Sequence, residues 1–239
     1  MMLRSTLFAA VVAVGSLLLG GCTEVKGDPV SVTEAPVPST ADDTGGIPVS
    51  AAGVGTVGDG DVVVDVYFDV ICPFCGLLDQ INGPDLAELI AGGGVTVVYH
   101  PVAILDSYSE GTAYSTRAAN ALAVVADKDP EHFPAFASAL LSEGIQPEEG
   151  TPGLSDQQIA EVAQGVGVKK AVTDQFTGRI RLDRKVQRTF EPWVRQATGM
   201  VPSRDGRVGT PTVVINGERF TESFLDAGVL RNAVEAAKG

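Results

Sequence analysis

DVVVDVYFDVICPFC, residues 61–75, runs from a strand pattern straight into a pair of cysteines with no turn signal between them. Asp61–Ile71 is mostly β-branched and aromatic, so it reads as a largely buried strand. Beyond Cys72-Pro73-Phe74-Cys75 a helical pattern begins, with Leu78 and Ile81 on its first apolar edge. Asn82-Gly83-Pro84 is expected to interrupt that helix, because proline has no N–H to donate in a helix interior. The pattern resumes at Leu86, Leu89 and Ile90 and stops at Gly92-Gly93-Gly94. Val95–His100 reads as a second strand, ended by Pro101. This is a β-α-β unit, for which parallel pairing is the default.

Downstream, residues 108–200 read as helical. Ala118, Ala121, Leu122 and Val125 fall at i, i+3, i+4 and i+7, and Phe133, Phe136, Ala137 and Leu140 repeat that spacing. Pro147–Gly153 breaks the run. Ser155 and Gln158 then have the spacing of a capping box, opening a helix that buries Ile159, Val162, Ala163 and Val166. Leu182, Val186, Phe190 and Trp193 are expected on a longer helix, which would carry Arg181, Arg184, Lys185 and Arg188 as a basic stripe. The stripe reads as a solvated face, with a docking surface as the alternative. After Gly209-Thr210-Pro211, Thr212–Ile215 reads as a short strand. Asn216-Gly217 is a hairpin turn leading to a strand near Arg219-Phe220, and the last helix buries Leu230, Ala233, Val234 and Ala237. The expected architecture is α/β: a four-stranded mixed sheet, β-α-β then β-β-α, with a helical insertion at about residues 107–200.

Upstream, Arg4 precedes the uncharged run Leu7–Leu19, and Gly20-Gly21-Cys22 follows. A short basic region, an apolar stretch and small residues read as an export signal over residues 1–21. Leu19-Gly20-Gly21-Cys22 resembles the bacterial lipoprotein box, which implies lipidation of Cys22 and an outward-facing place on the cell membrane; an uncleaved anchor and a plain secretory signal are the alternatives. Residues 22–60 contain no aromatic side chain and are rich in glycine and proline, so they are expected to form a flexible tether. The domain proper is expected over residues 61–239. Gly53-Val54-Gly55-Thr56-Val57-Gly58 matches a dinucleotide fingerprint, but it precedes the first strand instead of following one and carries no weight.

The charge balance is 17 Lys and Arg against 30 Asp and Glu, a net −13, which argues against nucleic-acid binding. Three cysteines are too few for a disulfide-stapled scaffold; with Cys22 set aside, two remain. A C-x-x-C at a strand–helix junction places the first sulfur at a helix N-terminus, where unpaired N–H groups and the helix dipole stabilise a thiolate. Cys72 is then the expected nucleophile and Cys75 the more buried resolving thiol. A metal site from Cys72, Cys75, His100 and His132 matches no zinc spacing, and both histidines read as packing or surface positions. A purely structural disulfide across so short a loop would add little stability.

With these residues in place the chain resembles the thioredoxin superfamily, and within it the DsbA-like thiol–disulfide oxidoreductases. Cys72-Pro73-Phe74-Cys75, the helical insertion and Gly209-Thr210-Pro211-Thr212 carry the resemblance. It implies a cis peptide at Thr210–Pro211 beside the redox pair, with Thr210, Pro211, Pro73 and Phe74 contacting substrate. It also implies a redox-active Cys72–Cys75 disulfide with no other cofactor, in a monomer. Implied partners are exported polypeptides bearing cysteines and a membrane redox protein that regenerates the enzyme. A reductase or isomerase of the same fold is the alternative direction, and a peptide-binding lipoprotein with a static disulfide is the non-catalytic one. Where many members carry a buried acid on the first strand this chain has Val66; Asp65 and Asp69, on the other parity, are expected to face away.

Overall fold

A computed structural model describes residues 28–239; the expected signal segment and Cys22 lie outside the described residues. The chain runs through β1 (Val30–Ser31), β2 (Ile47–Ser50), β3 (Gly53–Val54), β4 (Val62–Phe68), α1 (Pro73–Gly92) and β5 (Val95–Pro101). It continues through α2 (Tyr114–Lys128), α3 (Phe133–Leu141), α4 (Asp156–Gly165), the short α5 (Lys170–Thr173), β6 (Arg179–Leu182), β7 (Lys185–Arg188) and α6 (Glu191–Gly199). β8 (Thr212–Ile215), β9 (Glu218–Arg219) and α7 (Val229–Ala236) complete it.

The central sheet has the order β3-β2-β5-β4-β8-β9. β4 pairs parallel with β5 and antiparallel with β8, so the β-α-β and β-β-α halves meet on β4. Val62, Val64 and Val66 alternate to one face of β4 and pack with Leu78, Leu86 and Leu89 of α1 and with Leu230 and Val234 of α7. Tyr67 takes the opposite face, in a smaller cluster with Val102 and with Ala197 of α6. The thioredoxin-type arrangement is therefore present, carrying two strands beyond the four expected.

Those extra strands overturn the tether reading. β2 lies antiparallel on β5, pairing Ile47 with Tyr99 and Val49 with Val97, and Ile47 is fully buried. A Cβ at Gly46 would come within 2.5 Å of the His100 ring, so close approach fixes glycine there. Ser39 and Thr40 bond to Asp127 and to the Ala126 carbonyl at the end of α2. An aromatic-free segment had too little apolar surface to make a core alone, but as an added strand it needs only one inward face.

Two further expectations change. α1 runs unbroken through Pro84, and the Asn82 amide takes the Leu78 carbonyl at 3.2 Å and the Phe224 carbonyl at 2.8 Å. Residues 179–188 form the β6–β7 hairpin rather than a helix, with Asp183 and Arg184 at φ of 50° and 63°. Two consecutive positive φ values are the conformation of a type I′ turn, which suits a two-residue hairpin. β1 pairs alongside β6, completing a separate three-stranded sheet. Arg181, Arg184 and Lys185 are exposed on this hairpin, whereas Arg188 is buried and donates to Asp156 at 2.7 Å. The basic stripe along one helix face does not exist. Asp156 also accepts from Arg117 at 2.9 Å, joining the hairpin to α2 and α4.

Because Ile47 fills the core side of an added strand, Ile47→Ala should destabilise the protein by about 3 kcal/mol, as buried aliphatic truncations do. Urea unfolding of the two proteins checks this; an unchanged midpoint would return residues 28–60 to the status of a tether.

Candidate active site

The last paired residue of β4 is Phe68 and the first helical residue of α1 is Pro73, so the chain turns between them inside the core. Cys72 is the N-cap of α1 and Pro73 occupies its first turn, where a missing N–H costs nothing. Both cysteines are unbonded thiols in this structure. Cys75 is wholly buried; Cys72 is 4% exposed, less open than its expected role suggested. Pro73 is exposed and Phe74 half exposed, on the outer side of the same turn.

The peptide between Thr210 and Pro211 is cis, and the Thr210 carbonyl lies 3.3 Å from the Cys72 sulfur, close enough to accept from the thiol. As a thiolate, Cys72 instead collects donors: first the Cys75 thiol, then the Thr210 side chain and the backbone N–H groups of Cys75 and Phe74. These outweigh the effect of burial and lower its pKa to about 7. Burial is the main reason that the Cys75 thiol is held well above its ordinary value, and the neighbouring Cys72 adds to it. The two sulfurs thus differ by environment: one ionises near neutrality and the other keeps its proton.

Two side chains brace this turn that the sequence reading passed over. Asp69 is fully buried, not facing away. Its carboxylate accepts from Ser115 Oγ at 2.6 Å, from the Leu105 N–H at 2.8 Å and from the Ile71 N–H at 3.2 Å. Strand parity could not place it because the strand ends one residue earlier. Gln146, after α3, donates through Nε2 to the Val70 carbonyl at 3.0 Å and the Cys72 carbonyl at 2.9 Å. No spacing in the sequence signals that contact.

Val66 and Asp65 sit as expected on opposite faces of β4. Asp65 lies 2.9 Å from His100 Nε2, and His100 stacks on Tyr67 at 4.0 Å, so His100 is a packing residue. His132 bonds to Asp129 at 2.8 Å. Among the described residues, Asp129, Glu131 and His132 are the one grouping that gathers three candidate metal ligands, and it excludes both cysteines.

A dithiol of unequal acidity at the head of a helix, facing a cis-proline strand in a sheet of this order, defines a thiol–disulfide oxidoreductase. Residues 57–235 match the family described as Thioredoxin, and the chain belongs to that family. Among solved structures, a reduced disulfide-bond oxidoreductase, DsbG, from Mycobacterium tuberculosis superposes with a TM-score of 0.64 at 28% identity, covering 83% of this chain and 89% of that one. Reduced DsbA from the same organism gives 0.60 at 27%, covering 81% and 99%. The MdbA thiol-disulfide oxidoreductase of Actinomyces oris, at 22% identity and a TM-score of 0.66 over 85% and 93% of the chains, shares the fold. The serine/threonine-protein kinase PknE of Mycobacterium tuberculosis (strain H37Rv) is 33% identical over 108 residues, which is 44% of this chain but only 19% of that protein.

The unequal thiols make a direct expectation. With Cys22 replaced by serine, the first step in thiolate absorbance should have a midpoint at about 7, and that step should vanish in Cys72→Ala. A midpoint near the free-cysteine value of about 8.5 would contradict the donor set described for Cys72.

Burial, opposed by three hydrogen bonds, raises the Asp69 carboxyl to about 6. Its folded pKa lies above the unfolded one, so its contribution is fully present below about pH 4 and is lost as the pH rises through about 6. The stability of the wild type relative to Asp69→Asn, from urea unfolding, should therefore fall across that window. A difference that is flat with pH would mean that Asp69 keeps one charge state throughout.

Proposed function

We propose that this protein exchanges disulfides with exported polypeptides, held to the outer side of the cell membrane by a lipid on Cys22. The observation that supports this best is the pairing of a low-pKa thiol with a buried, high-pKa one beside the Thr210 carbonyl. In the oxidising direction a substrate thiolate attacks Cys72 of the Cys72–Cys75 disulfide. A substrate–Cys72 bond forms, the Cys72–Cys75 bond breaks, and Cys75 leaves with the electron pair. A second substrate thiolate then attacks the substrate sulfur and releases Cys72 as a stabilised thiolate. The enzyme is left reduced, and a membrane redox partner takes its two electrons.

Substrate would lie along the strand edge at Thr210, with Pro211, Pro73 and Phe74 beside the reacting sulfurs. Phe74, Leu77 and Val208 are all substantially exposed and offer apolar contact to an unfolded chain. The same reaction runs backwards in a reductase or isomerase, and one observation favours that second reading. Cys72 is lowered only to about 7, a value like thioredoxin's, whereas the strongest oxidants reach roughly 3.5. Its neighbour Phe74 also supplies no imidazole.

Equilibration with glutathione reads the direction: a potential of roughly −120 mV marks an oxidase and roughly −270 mV a reductant. Cys75→Ala should accumulate mixed disulfides with exported proteins that dissolve in dithiothreitol, and Cys72→Ala should form none. Exchange that persists in Cys72→Ala would overturn the assignment.

A further inference from the structure

The β6–β7 hairpin carries charge that the redox chemistry does not use. Residues 179–187 hold four basic side chains, Arg179, Arg181, Arg184 and Lys185, and one acid, Asp183, on a chain whose net charge is −13. Arg181, Arg184 and Lys185 are exposed. Among the described residues none of the four makes an ion pair. Arginines elsewhere do pair: Arg117 and Arg188 with Asp156, Arg195 with Glu191, and Arg231 with Asp85 and Glu88. An unneutralised basic cluster on an acidic chain is a local field that draws an anionic partner.

The chain from Cys22 also meets the fold at this hairpin. β1 lies parallel on β6, pairing Val30 with Ile180 and Ser31 with Arg181, and the Val32 N–H donates to the Arg181 carbonyl at 3.1 Å. On the other side of β6, Arg181 pairs with Val186, and Leu182 with Lys185. Ser31, Arg181 and Val186 therefore stand abreast on the three strands. Val30 is 64% and Val186 50% exposed, so apolar side chains stand among the cations. Val30 comes eight residues after Cys22. That length of chain reaches at most about 28 Å.

We propose that the β6–β7 hairpin docks on an anionic lipid surface, with Arg181, Arg184 and Lys185 on the phosphodiester headgroups and Val30 and Val186 at their apolar boundary. The inference rests on the lipid anchor at Cys22 proposed above. Guanidinium and ammonium groups donate to the headgroup oxygens in place of counterions. The anchor makes the contact intramolecular, because so short a connection keeps the hairpin within reach of the bilayer at all times.

Charge and connectivity both favour a bilayer as the partner. Attraction between exposed charges fades over about 8 Å at physiological salt. A basic patch therefore works only where the anchor can bring it onto the surface, and the pairing of β1 with β6 puts it there. Removing the +3 of residues 179–187 from the total of −13 leaves −16 on the rest of the chain. That charge disfavours every orientation that presents another face to an anionic leaflet. Long basic side chains also suit such an interface, since their stems lie on apolar groups while their heads stay with the phosphates. Docking this way uses none of the residues of the redox site.

The test uses the chain from residue 22 onward with Cys22→Ser, which contains every described residue and no lipid, at low salt and millimolar lipid. It should co-sediment with vesicles of phosphatidylglycerol and stay in solution with vesicles of phosphatidylcholine. Each cation at an anionic surface contributes about five-fold in affinity, so Arg181→Gln, Arg184→Gln and Lys185→Gln together should weaken binding by about a hundred-fold. The urea midpoint of this variant should match its parent's, because none of the three side chains makes an ion pair among the described residues. If it does not fold, Lys185→Gln alone decides, with a loss of about five-fold. Arg204→Gln with Arg207→Gln, which removes charge elsewhere, should bind as the parent does. No binding to phosphatidylglycerol, equal binding to both lipids, or binding indifferent to the hairpin substitutions overturns the proposal. A protein that ignores vesicles but doubles its mass in light scattering, and is a monomer in the triple variant, assigns the hairpin to a second copy and overturns it too. Mass spectrometry of the protein extracted from membranes separates the two readings. Residue 22 without lipid refutes the anchor itself, whereas a lipidated chain whose hairpin ignores phosphatidylglycerol refutes this inference alone.

Discussion

One carboxylate, that of Asp69, holds the redox turn together. Between Phe68 and Pro73 the chain passes from strand to helix inside the core, where backbone donors must find partners. Asp69 supplies them from both of its ends: its carboxylate takes the Ile71 N–H and its carbonyl takes the Cys72 N–H at 3.0 Å. The same carboxylate reaches the Leu105 N–H beyond β5 and the Ser115 hydroxyl at the start of α2. A single residue therefore closes the turn and fastens the helical insertion to the thioredoxin core at the point where the thiols sit. Removing it would leave three buried donors unpaired, each at a cost of about 1–3 kcal/mol.

What could be read from the sequence follows from where the determinants lie. β8 falls on Thr212–Ile215 and the Ser155–Gln158 capping box forms with both of its bonds, because each is set by residues within four positions of one another. The C-x-x-C and Thr-Pro signals likewise fall on two segments that the fold brings together. The failures are tertiary. Ile47 and Val49 give too little apolar surface to announce a strand, and β5 supplies what makes them one. Leu182, Val186, Phe190 and Trp193 keep a helical spacing, yet Asp183-Arg184 accepts a tight turn and Asp156 reaches across to hold Arg188. Pro84 should have broken α1; instead the helix continues, with the Asn82 amide taking the Leu78 carbonyl within it. Asp69 escaped because alternation stops predicting direction where strand pairing stops.

The two halves of the domain also differ in how they are held. β4, β5 and β8 share backbone ladders and a valine-rich face, which is non-directional packing. The insertion is joined to its own hairpin by directional bonds: Asp156 with Arg117 and Arg188, and the Asn120 amide with the Phe176 carbonyl and the Phe190 N–H. Such bonds fix relative placement as well as adding stability. Placement matters here because the insertion supplies Ser115 and Gln146 to the redox turn.

Gln146 reaches the Cys72 carbonyl only because residue 76 is glycine: a Cβ there would lie 2.4 Å from Gln146 Oε1 and 3.0 Å from the Leu141 carbonyl. The second residue after the redox motif's central dipeptide and a residue seventy positions later are thus a matched pair. Transplanting Cys72–Cys75 and its strand into a bare thioredoxin scaffold would move the sulfurs without the glutamine that grips their loop. An enzyme engineered that way would carry the motif with a loosened turn, so the portable unit of this chemistry is the motif together with its insertion.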